Sequence, residues 1–234
     1  MSEHIDRIIA IIPAAGVGKR MGGNIPKQYL TIKDQTILSH TLNVFLSHPK
    51  IETVIVAIGE NDLYFDELPE AKHPKLIKAT GGKERADSVL NALNCAANNG
   101  LSKSWVLVHD AARPCITNGD IDKLLASRAQ FPQGAILAMP VRDTMKRSDT
   151  DGKIEQTVCR EQLWHAMTPQ MFPLEPLKEN LEQALANNVS ITDEASAMEW
   201  AHIQPGLVSG RPDNIKVTHT DDLQLAEIYL KNIG

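Results

Sequence analysis

The sequence predicts an α/β protein with a Rossmann-like open, mostly parallel β-sheet flanked by helices and a protruding β-hairpin arm. Apolar runs rich in β-branched residues alternate with segments of helical periodicity, which is the order of βαβ units. The first two runs, residues 8–12 and 51–58, enclose one amphipathic segment and so form a parallel pair. No repeat, linker or low-complexity tract interrupts the 234 residues, and we expect one domain over 1–234.

The first half of the chain alternates strands and helices. Thr36 is predicted to be the N-cap of a helix that ends before Pro49. A short third strand covers 76–79, and apolar residues at helical spacing then predict a helix over 86–97. A fourth strand at 105–108 continues the pattern.

The same alternation returns in the second half. Asn118 is predicted to cap a helix that precedes a buried strand over 134–139. Helical periodicity resumes at Leu174, and Thr192 is predicted to cap the next helix. The chain then closes with a short strand over 207–209 and a helix over 221–231.

The region from Val141 to Thr168 breaks the pattern because it is polar and short of helical spacing. Asp151-Gly152 is a turn signal between two plausible strands, 144–147 and 153–158, so a β-hairpin arm is predicted. A hairpin buries little surface by itself. We therefore expect the arm, at about 141–168, to pack on a second subunit in a homodimer.

Composition narrows the class of protein. Apolar residues make up 42% and charged residues 23% of the chain, as in ordinary globular proteins. A net charge of −5 argues against general nucleic-acid binding. The three cysteines form no C-x-x-C pair, and the chain carries no signal-peptide pattern or membrane-length apolar run. We expect reduced thiols, no membrane or nucleic-acid partner, and a cytoplasmic location.

The segment from Ile8 to Lys27 is the one around which the chain is organised. A buried strand breaks at Pro13 into a loop made mostly of Gly and Ala, where Gly16 and Gly18 let a ligand approach the main chain. Between residues 8 and 33 there are four basic residues and no acidic one. This local excess of positive charge predicts binding of a polyanion, most simply a triphosphate.

Two commoner phosphate loops do not match this segment. The P-loop pattern fails because Pro13 replaces its first Gly and Arg20 replaces its Ser or Thr. The dinucleotide pattern G-x-G-x-x-G has Met21 at its third Gly. The spacing alone fits a glycine loop with solvated charges equally well.

Three polar clusters follow strand ends and are predicted to meet at one edge of the sheet. They are 13–27, 81–88 and 110–113. A purely structural role is the alternative in each case. Residues 81–88 are also consistent with a turn followed by the start of a helix. Asp110 is also a suitable helix cap, and Arg113 is also a suitable partner for an acidic residue. His109 is more often a core residue than a catalytic one. As a hard oxygen ligand, Asp110 is a candidate for placing Mg²⁺.

The clusters also resemble a known family. PAAGxGxRMG followed by PKQY resembles the cytidylyltransferase branch of the sugar-nucleotide pyrophosphorylases, and GGxERxxS resembles its cytosine and ribose segment, although Lys83 stands where an acidic residue is expected. Residues 106–113, VLVHDAAR, resemble the signature of the 2-C-methyl-D-erythritol 4-phosphate cytidylyltransferase family. The matches run in order from Ile12 to Lys216.

The resemblance implies roles for individual residues. The catalytic cations are Arg20, Lys27 and Lys216. CTP is bound by Pro13, Ala14, Ala15, Gly16, Gly18, Gly82, Arg85, Ser88, Asp110 and Ala111. Mg²⁺ is held mostly by the CTP phosphates, with Asp110 as the candidate protein ligand.

The acceptor site is implied by the same resemblance. Its residues are Arg113, Thr144, Arg160 and Thr168. Because the family exchanges its β-arm between subunits, Arg160 and Thr168 are expected to serve the partner's site, and Arg113 and Thr144 their own. The match at residues 192–195 is expected to be a helix cap outside the site.

The implied reaction joins CTP and 2-C-methyl-D-erythritol 4-phosphate and releases pyrophosphate, a step of non-mevalonate isoprenoid synthesis. A cytidylyltransferase for another polyol phosphate, such as ribitol 5-phosphate, is the nearest alternative. A nucleotide-binding regulator without turnover is a second one. Retention of both Lys27 and Lys216 argues against the regulator.

Overall fold

The computed structural model describes residues 7–16 and 25–233. The strands are β1 Ile8–Pro13, β2 Thr31–Ile32, β3 Gln35–Thr36, β4 Thr53–Ile58, β5 Leu76–Thr80, β6 Trp105–Val108, β7 Ala135–Pro140, β8 Met145–Ser148, β9 Ile154–Val158, β10 Trp164–Pro173 and β11 Gly206–Ser209. The α-helices are α1 Ile37–Ser47, α2 Arg85–Asn98, α3 Asn118–Ala126, α4 Leu174–Ala186, α5 Glu194–Trp200 and α6 Thr220–Ile233.

Seven of the strands form one central sheet in the order β11-β7-β10-β6-β1-β4-β5. β1 pairs in parallel with β4 and β6, β4 with β5, and β11 with β7. Only β10 runs antiparallel to its two neighbours in this sheet, β6 and β7. The predicted α/β fold with a mostly parallel sheet is therefore confirmed.

The central strands β1, β4 and β6 are almost entirely apolar and buried, so the middle of the sheet is covered on both faces. Along β1, Ile8, Ala10 and Ile12 face a cluster that includes side chains of α1 and α3. Ile9 and Ile11 point to the opposite face and join side chains of α2, α4 and α5. A smaller cluster packs α6 against β2 and the start of α1.

The predicted helix caps are confirmed at one position and displaced by one residue at two others. Thr36 caps α1, since its side chain accepts a hydrogen bond from the N–H of Ser39. The prediction that Asn118 caps α3 is wrong, because Thr117 is the cap. The prediction that Thr192 caps α5 is also wrong, because Asp193 accepts the N–H of Ser196. In both pairs two adjacent residues are good caps, so sequence alone does not separate them.

β10 is the one strand of the central sheet that the sequence did not predict. It occupies 164–173, where an extension of the arm was expected up to Thr168. Its inner half carries Thr168 and Gln170, which are polar yet buried. A register shift between Ala166 and Gln170 also interrupts its pairing with β7. These features hide the alternation that marks a strand.

The predicted hairpin is present as a separate antiparallel pair, β8 with β9. Its turn has Gly152 at φ 79°, and Asp149 Oδ1 accepts the N–H groups of Asp151 and Lys153. Nearly all of its side chains are exposed, including that of Ile154. Within the described ranges no helix has the length and apolar character needed to cross a membrane.

Candidate active site

A cleft lies at the carboxyl ends of β1, β5 and β6, where the three sequence clusters were predicted to meet. We call it the main cleft. It is lined by Pro13, Ala14, Ala15, Gly16, Lys27, Gln28, Gly82, Lys83, Glu84, Arg85, Ser88, Asp110, Ala111, Ala112 and Lys216. The carboxyl ends of neighbouring parallel strands share one edge of a sheet, which explains why distant segments converge here. Gly18 and Arg20 lie outside the described residues.

The first wall of the main cleft is the segment after β1. Ala14 donates its N–H to the carbonyl of Ala57 at 2.8 Å, so the chain continues the sheet direction for one residue. Gln28, which is buried, donates from Nε2 to the carbonyl of Ala14 at 2.7 Å. The sequence analysis did not assign Gln28 a role, although PKQY was noted as a match. Its amide fixes the loop from the side opposite the sheet.

Lys27 projects into the cleft from a short 3-10 helix, Lys27–Tyr29. The Tyr29 hydroxyl donates to Asp62 Oδ2 at 2.8 Å, and burial together with Asp62 raises the pKa of Tyr29 well above its usual value. Lys27 Nζ donates to the carbonyl of Val217 at 3.1 Å. The ammonium group of Lys27 is therefore bound to the residue next to Lys216, and the two predicted cations lie on the same cleft.

The second wall is the turn from β5 into α2. A Cβ at Gly81 would lie 2.2 Å from Cβ of Ala15, so only glycine lets this turn touch the first wall. Ser88 Oγ accepts the N–H of Gly82 at 2.9 Å and donates to the carbonyl of Glu84 at 3.0 Å. Ser88 lines the main cleft, and its hydroxyl also holds this turn.

Asp110 is the electrostatic centre of the cleft. Its carboxylate is 3.0 Å from Arg85 Nε, 3.3 Å from Arg113 Nε and 3.0 Å from Lys216 Nζ. Burial alone would raise the pKa of Asp110, but Arg85, Lys216 and Arg113 together outweigh it and hold the pKa far below its usual value. Asp110 is therefore ionised at neutral pH and fixes three cations around one point.

Glu194, at the start of α5, joins this network although 192–195 were expected to lie outside the site. Its carboxylate is held in two places by Arg85, with Nη1 to Oε1 at 2.6 Å and Nη2 to Oε2 at 3.1 Å. Burial alone would lower the pKa of Arg85, but Glu194 and Asp110 raise it above its usual value. Arg85 is thus a rigid bridge between two buried carboxylates, and the expectation for Glu194 is corrected by these contacts.

A buried amide holds the start of α5 in position beside the cleft. Gln170 Nε2 donates to Asp193 Oδ2 at 2.8 Å, and its Oε1 accepts the N–H of Ala195 at 2.9 Å. Gln170 belongs to β10, which the sequence analysis missed. Its two hydrogen bonds place Glu194 within reach of Arg85.

His109 lies beneath the cleft and is fully buried. Its Nε2 is 3.0 Å from the carbonyl of Arg113, and its Nδ1 is 2.9 Å from Thr168 Oγ1. Burial lowers the pKa of His109 to about 4, so the ring is neutral at physiological pH. The interpretation of His109 as a core histidine agrees with this position.

A second cleft adjoins the main one on the other side of Asp110. It is lined by Arg85, Asp110, Arg113, Ala166, Met167, Thr168, Gln170, Thr192, Asp193 and Lys216. Arg113 donates from Nη1 to the carbonyl of Asn214 at 2.7 Å and so faces this cleft from a fixed position. Two of the four predicted acceptor residues, Arg113 and Thr168, are brought together here.

The other two predicted acceptor residues lie on the arm. Thr144 and Arg160 are exposed and line neither cleft, and Arg160 Nη1 donates to the carbonyl of Arg142. Thr168 was expected to serve a partner's site together with Arg160. The structure instead places Thr168 against its own chain, where Oγ1 accepts the N–H of Asp110 at 3.1 Å. Within one chain, Thr168 lines the second cleft and Arg160 does not.

Metal binding was tested against the donors that the structure describes. Within residues 7–16 and 25–233 no cluster of three or more His, Cys, Asp or Glu side chains is placed to hold a metal ion. Asp110 offers one buried carboxylate at the junction of the two clefts. This donor set fits a cation that arrives with a phosphorylated ligand and takes one protein oxygen.

Comparison with known proteins gives a consistent result. Residues 8–232 match the family model described as 2-C-methyl-D-erythritol 4-phosphate cytidylyltransferase. A protein of that name from Shewanella amazonensis is 67% identical over 96% of this chain and 93% of its own length. Another from Shewanella halifaxensis is 64% identical over 99% of both chains.

Solved structures agree with the sequence relatives. A crystal structure described as 4-diphosphocytidyl-2C-methyl-D-erythritol synthase superposes with a TM-score of 0.83, at 34% identity over 96% of this chain and 98% of that one. The 2-C-methyl-D-erythritol 4-phosphate cytidylyltransferase of Francisella tularensis gives 0.82 at 36% identity, over 95% and 99% of the two chains.

Proposed function

The chain belongs to the 2-C-methyl-D-erythritol 4-phosphate cytidylyltransferase family, and we propose that it transfers CMP from CTP to 2-C-methyl-D-erythritol 4-phosphate in the main cleft. It is a nucleotidyltransferase of non-mevalonate isoprenoid precursor synthesis that releases pyrophosphate. The observation that carries the proposal is the meeting of Lys27, Arg85, Asp110 and Lys216 in one cleft at the sheet edge. We place the activity in the cytoplasm, where charged nucleotides are held.

The proposed reaction requires positive charge around the phosphates and no general base. A phosphate monoester has a second pKa near ~6, so the attacking oxygen is already largely ionised at neutral pH. The barrier lies in bringing two anions together and in the charge that develops at the α-phosphorus during in-line displacement. His109 is neutral and fully buried, which suits it to holding structure and not to proton transfer.

The main cleft suits a nucleoside triphosphate. The loop 13–16 offers main-chain groups to the phosphates, and Gly18 and Arg20 continue the loop in the sequence. Lys27 and Lys216 approach the reacting phosphorus from neighbouring positions. The remaining nucleotide-binding residues, which surround the ribose and base, are Gly82, Arg85, Ser88, Asp110 and Ala111.

The second cleft suits the acceptor. Arg113 and Lys216 supply two cationic donors that suit a phosphate monoester, in a cleft that Asp110 and Asp193 also line. Asp110 lies between the two clefts and holds both cations. Thr168 lines the wall, and Thr144 and Arg160 complete the acceptor set from the arms of the dimer.

We propose Mg²⁺ as the metal, carried on the CTP phosphates with Asp110 as the protein oxygen closest to them. When bound, Mg²⁺ neutralises phosphate charge. Asp110 would supply a protein oxygen to the ion, and Lys216 is the most exposed of the three cations that contact Asp110.

The test is pyrophosphate release from CTP in the presence of magnesium. Methylerythritol phosphate should support turnover, and ribitol 5-phosphate in parallel measures acceptor preference. Lys27→Ala should lower kcat roughly 100-fold, because one electrostatic group at a developing charge contributes about 3 kcal/mol. Lys123→Ala, which changes an exposed lysine on α3, is the matched control and should keep wild-type kcat. A Lys27→Ala enzyme with near-normal turnover would remove Lys27 from the mechanism.

We also propose that the arm exchanges between subunits of a homodimer and carries Arg160 to the partner's active site. The proposal is supported by the exposure of nearly all side chains of the hairpin and by the absence of Arg160 from the lining of both clefts of its own chain. Arg160→Ala should weaken use of the acceptor more than use of CTP.

Mixing the Lys27→Ala and Arg160→Ala proteins tests the shared site. In a hybrid dimer one active site keeps both residues, so random exchange should restore up to about a quarter of wild-type activity. No recovery after subunit exchange, verified by a size or label measurement, would rule out a site completed by the arm.

A further inference from the structure

Thr168 and His109 form a buried pair directly beneath Asp110, and the three hydrogen bonds of their side chains are internal to the chain. Asp110 N–H points at Thr168 Oγ1 at 3.1 Å, Thr168 Oγ1 is 2.9 Å from His109 Nδ1, and His109 Nε2 is 3.0 Å from the carbonyl of Arg113. Thr168 is 4% exposed and His109 is 0% exposed. Water cannot substitute for these partners without reopening the core.

The position of each hydrogen follows from what its partner can do. A carbonyl oxygen only accepts, so His109 Nε2 must carry the hydrogen that it directs to Arg113. In a neutral imidazole the other nitrogen is then an acceptor. Nδ1 therefore receives the hydroxyl hydrogen of Thr168, and the hydroxyl oxygen in turn accepts the N–H of Asp110.

We infer that Thr168 is a positioning residue whose one hydroxyl hydrogen is committed to His109, so it donates no hydrogen bond to the acceptor phosphate. Its role is to hold the main chain of Asp110, and His109 holds Thr168 in turn. In the second cleft the phosphate is then bound by Arg113 and Lys216, and Thr144 and Arg160 of the arms remain the other proposed acceptor residues. This inference refines the proposed function, since it divides the acceptor residues into ligands and supports.

The opposite assignment has a clear structural cost. If Thr168 turned its hydrogen towards a phosphate, Nδ1 of a fully buried ring would lose its donor. Buried polar groups without partners are strongly disfavoured. Protonating the ring would not repair the loss, because neither hydrogen-bond partner of this fully buried ring is a carboxylate and a buried charge needs one.

The direct test is the state of the His109 ring in the wild-type protein, measured by ¹⁵N NMR with labelled histidine. The His109 signals are identified by their loss in His109→Asn. We expect hydrogen on Nε2 and an accepting Nδ1, both before and after saturation with methylerythritol phosphate. If adding the phosphate shifts the ¹⁵N signal of Nδ1 to the value of a ring nitrogen that accepts no hydrogen bond, the inference is wrong.

Kinetics of matched variants give a second, independent readout. Thr168→Ser keeps the hydroxyl and should stay within about threefold of wild type, whereas Thr168→Val should lower kcat by about tenfold or more with a smaller change in KM for the acceptor. His109→Asn keeps an acceptor oxygen near the position of Nδ1 and should retain more activity than His109→Phe. A Thr168→Val enzyme with unchanged kcat and a tenfold higher KM for the acceptor alone would identify Thr168 as a phosphate ligand instead.

The two tests separate this inference from the proposed function. If the wild-type protein does not convert CTP with methylerythritol phosphate, the proposed function fails. The NMR measurement on the ligand-free protein still decides whether Thr168 donates to His109. If turnover is normal and Nδ1 carries the hydrogen, the inference alone is wrong.

Discussion

The main cleft and the arm both contain many charged residues. The ion pairs around Asp110 in the cleft are largely buried, whereas the ion pair of the arm is exposed. At the cleft, Asp110 keeps 9% of its side chain exposed and contacts three cations. On the arm, Lys153 and Asp151 are 3.7 Å apart with 78% and 73% of their side chains exposed. Charge held away from solvent can act on a substrate, because water does not screen it.

Hydrogen bonding differs between the two regions in the same way. Around the cleft, the buried side chains of Gln28, Thr168 and Gln170 form hydrogen bonds to residues 14, 58 and 23 positions away in the sequence. The arm is held by its own ladder and by a local turn at Asp149. The cleft is therefore held together by contacts across the fold, while the arm is held mainly by its own hydrogen bonds and is exposed.

Asp110→Asn is expected to produce the largest effect. It removes the negative charge between Arg85, Arg113 and Lys216 and leaves three cations facing one another in a largely buried place. Breaking a buried ion pair in this way costs about 3 kcal/mol or more in the free energy of unfolding, measured by urea denaturation. Catalysis should fall as well, since the cations lose their common anchor.

The matched control on the arm is Asp151→Asn. It breaks an exposed pair, so the free energy of unfolding should not change measurably. Equal effects of the two substitutions would show that burial does not distinguish the cleft from the arm.

Gly81→Ala should have the next largest effect on folding. The added Cβ would meet Ala15 at 2.2 Å and the carbonyl oxygen of Ile58 at 3.2 Å, so the two walls of the cleft must separate. Such overpacking costs about 1–3 kcal/mol. Gly119→Ala on α3 is the control, because the added Cβ would lie 3.8 Å from the Thr117 hydroxyl, an ordinary contact, and the helix favours alanine. Denaturation of both variants checks the difference, and equal stability would contradict the close contact of the walls.

The pH dependence of stability sharpens the assignment of His109. Its pKa is about 4 in the folded chain against an ordinary value near ~6.5, so the unfolded chain binds this proton more readily. Stability from this group is complete above pH ~6.5 and is lost as the pH falls towards 4, at up to about 1.4 kcal/mol per pH unit. His48, whose pKa burial also lowers, contributes in the same direction.

The contribution of His109 is isolated by comparing variants. His109→Asn should flatten the slope of unfolding free energy between pH 6.5 and 4, although it lowers stability at neutral pH. His165→Asn, which changes an exposed histidine on β10, serves as the control. An unchanged slope in His109→Asn would show that the ring is not buried in its neutral form.

Sequence reasoning located the cleft because its main signals are local. Glycines, prolines and cations after strands β1, β5 and β6 mark loops at one sheet edge, and parallel topology brings such loops together. Lys27 and Lys216 line the same cleft as predicted. The apolar patterns of the strands and helices were likewise sufficient for most element bounds.

The missed features all depend on distant partners. The sequence pattern predicts only a helix cap around Glu194. The structure shows that Glu194 binds Arg85, which lies 109 residues earlier in the sequence. β10 reads as a polar extension of the arm because Thr168 and Gln170 are buried only through bonds to His109, Asp193 and the start of α5. Single-sequence patterns describe neighbours along the chain, so they do not reveal a polar group that is satisfied from across the fold.

We propose that the cations at this edge of the sheet surround the phosphate groups of both substrates. A crystal structure with CTP and magnesium tests it most directly. We predict that Nζ of Lys27 and Nζ of Lys216 both lie within about 4 Å of oxygens of the α-phosphate, which is ion-pair distance. A triphosphate bound elsewhere, or bound while Lys27 and Lys216 both point away from the α-phosphate, would contradict the account.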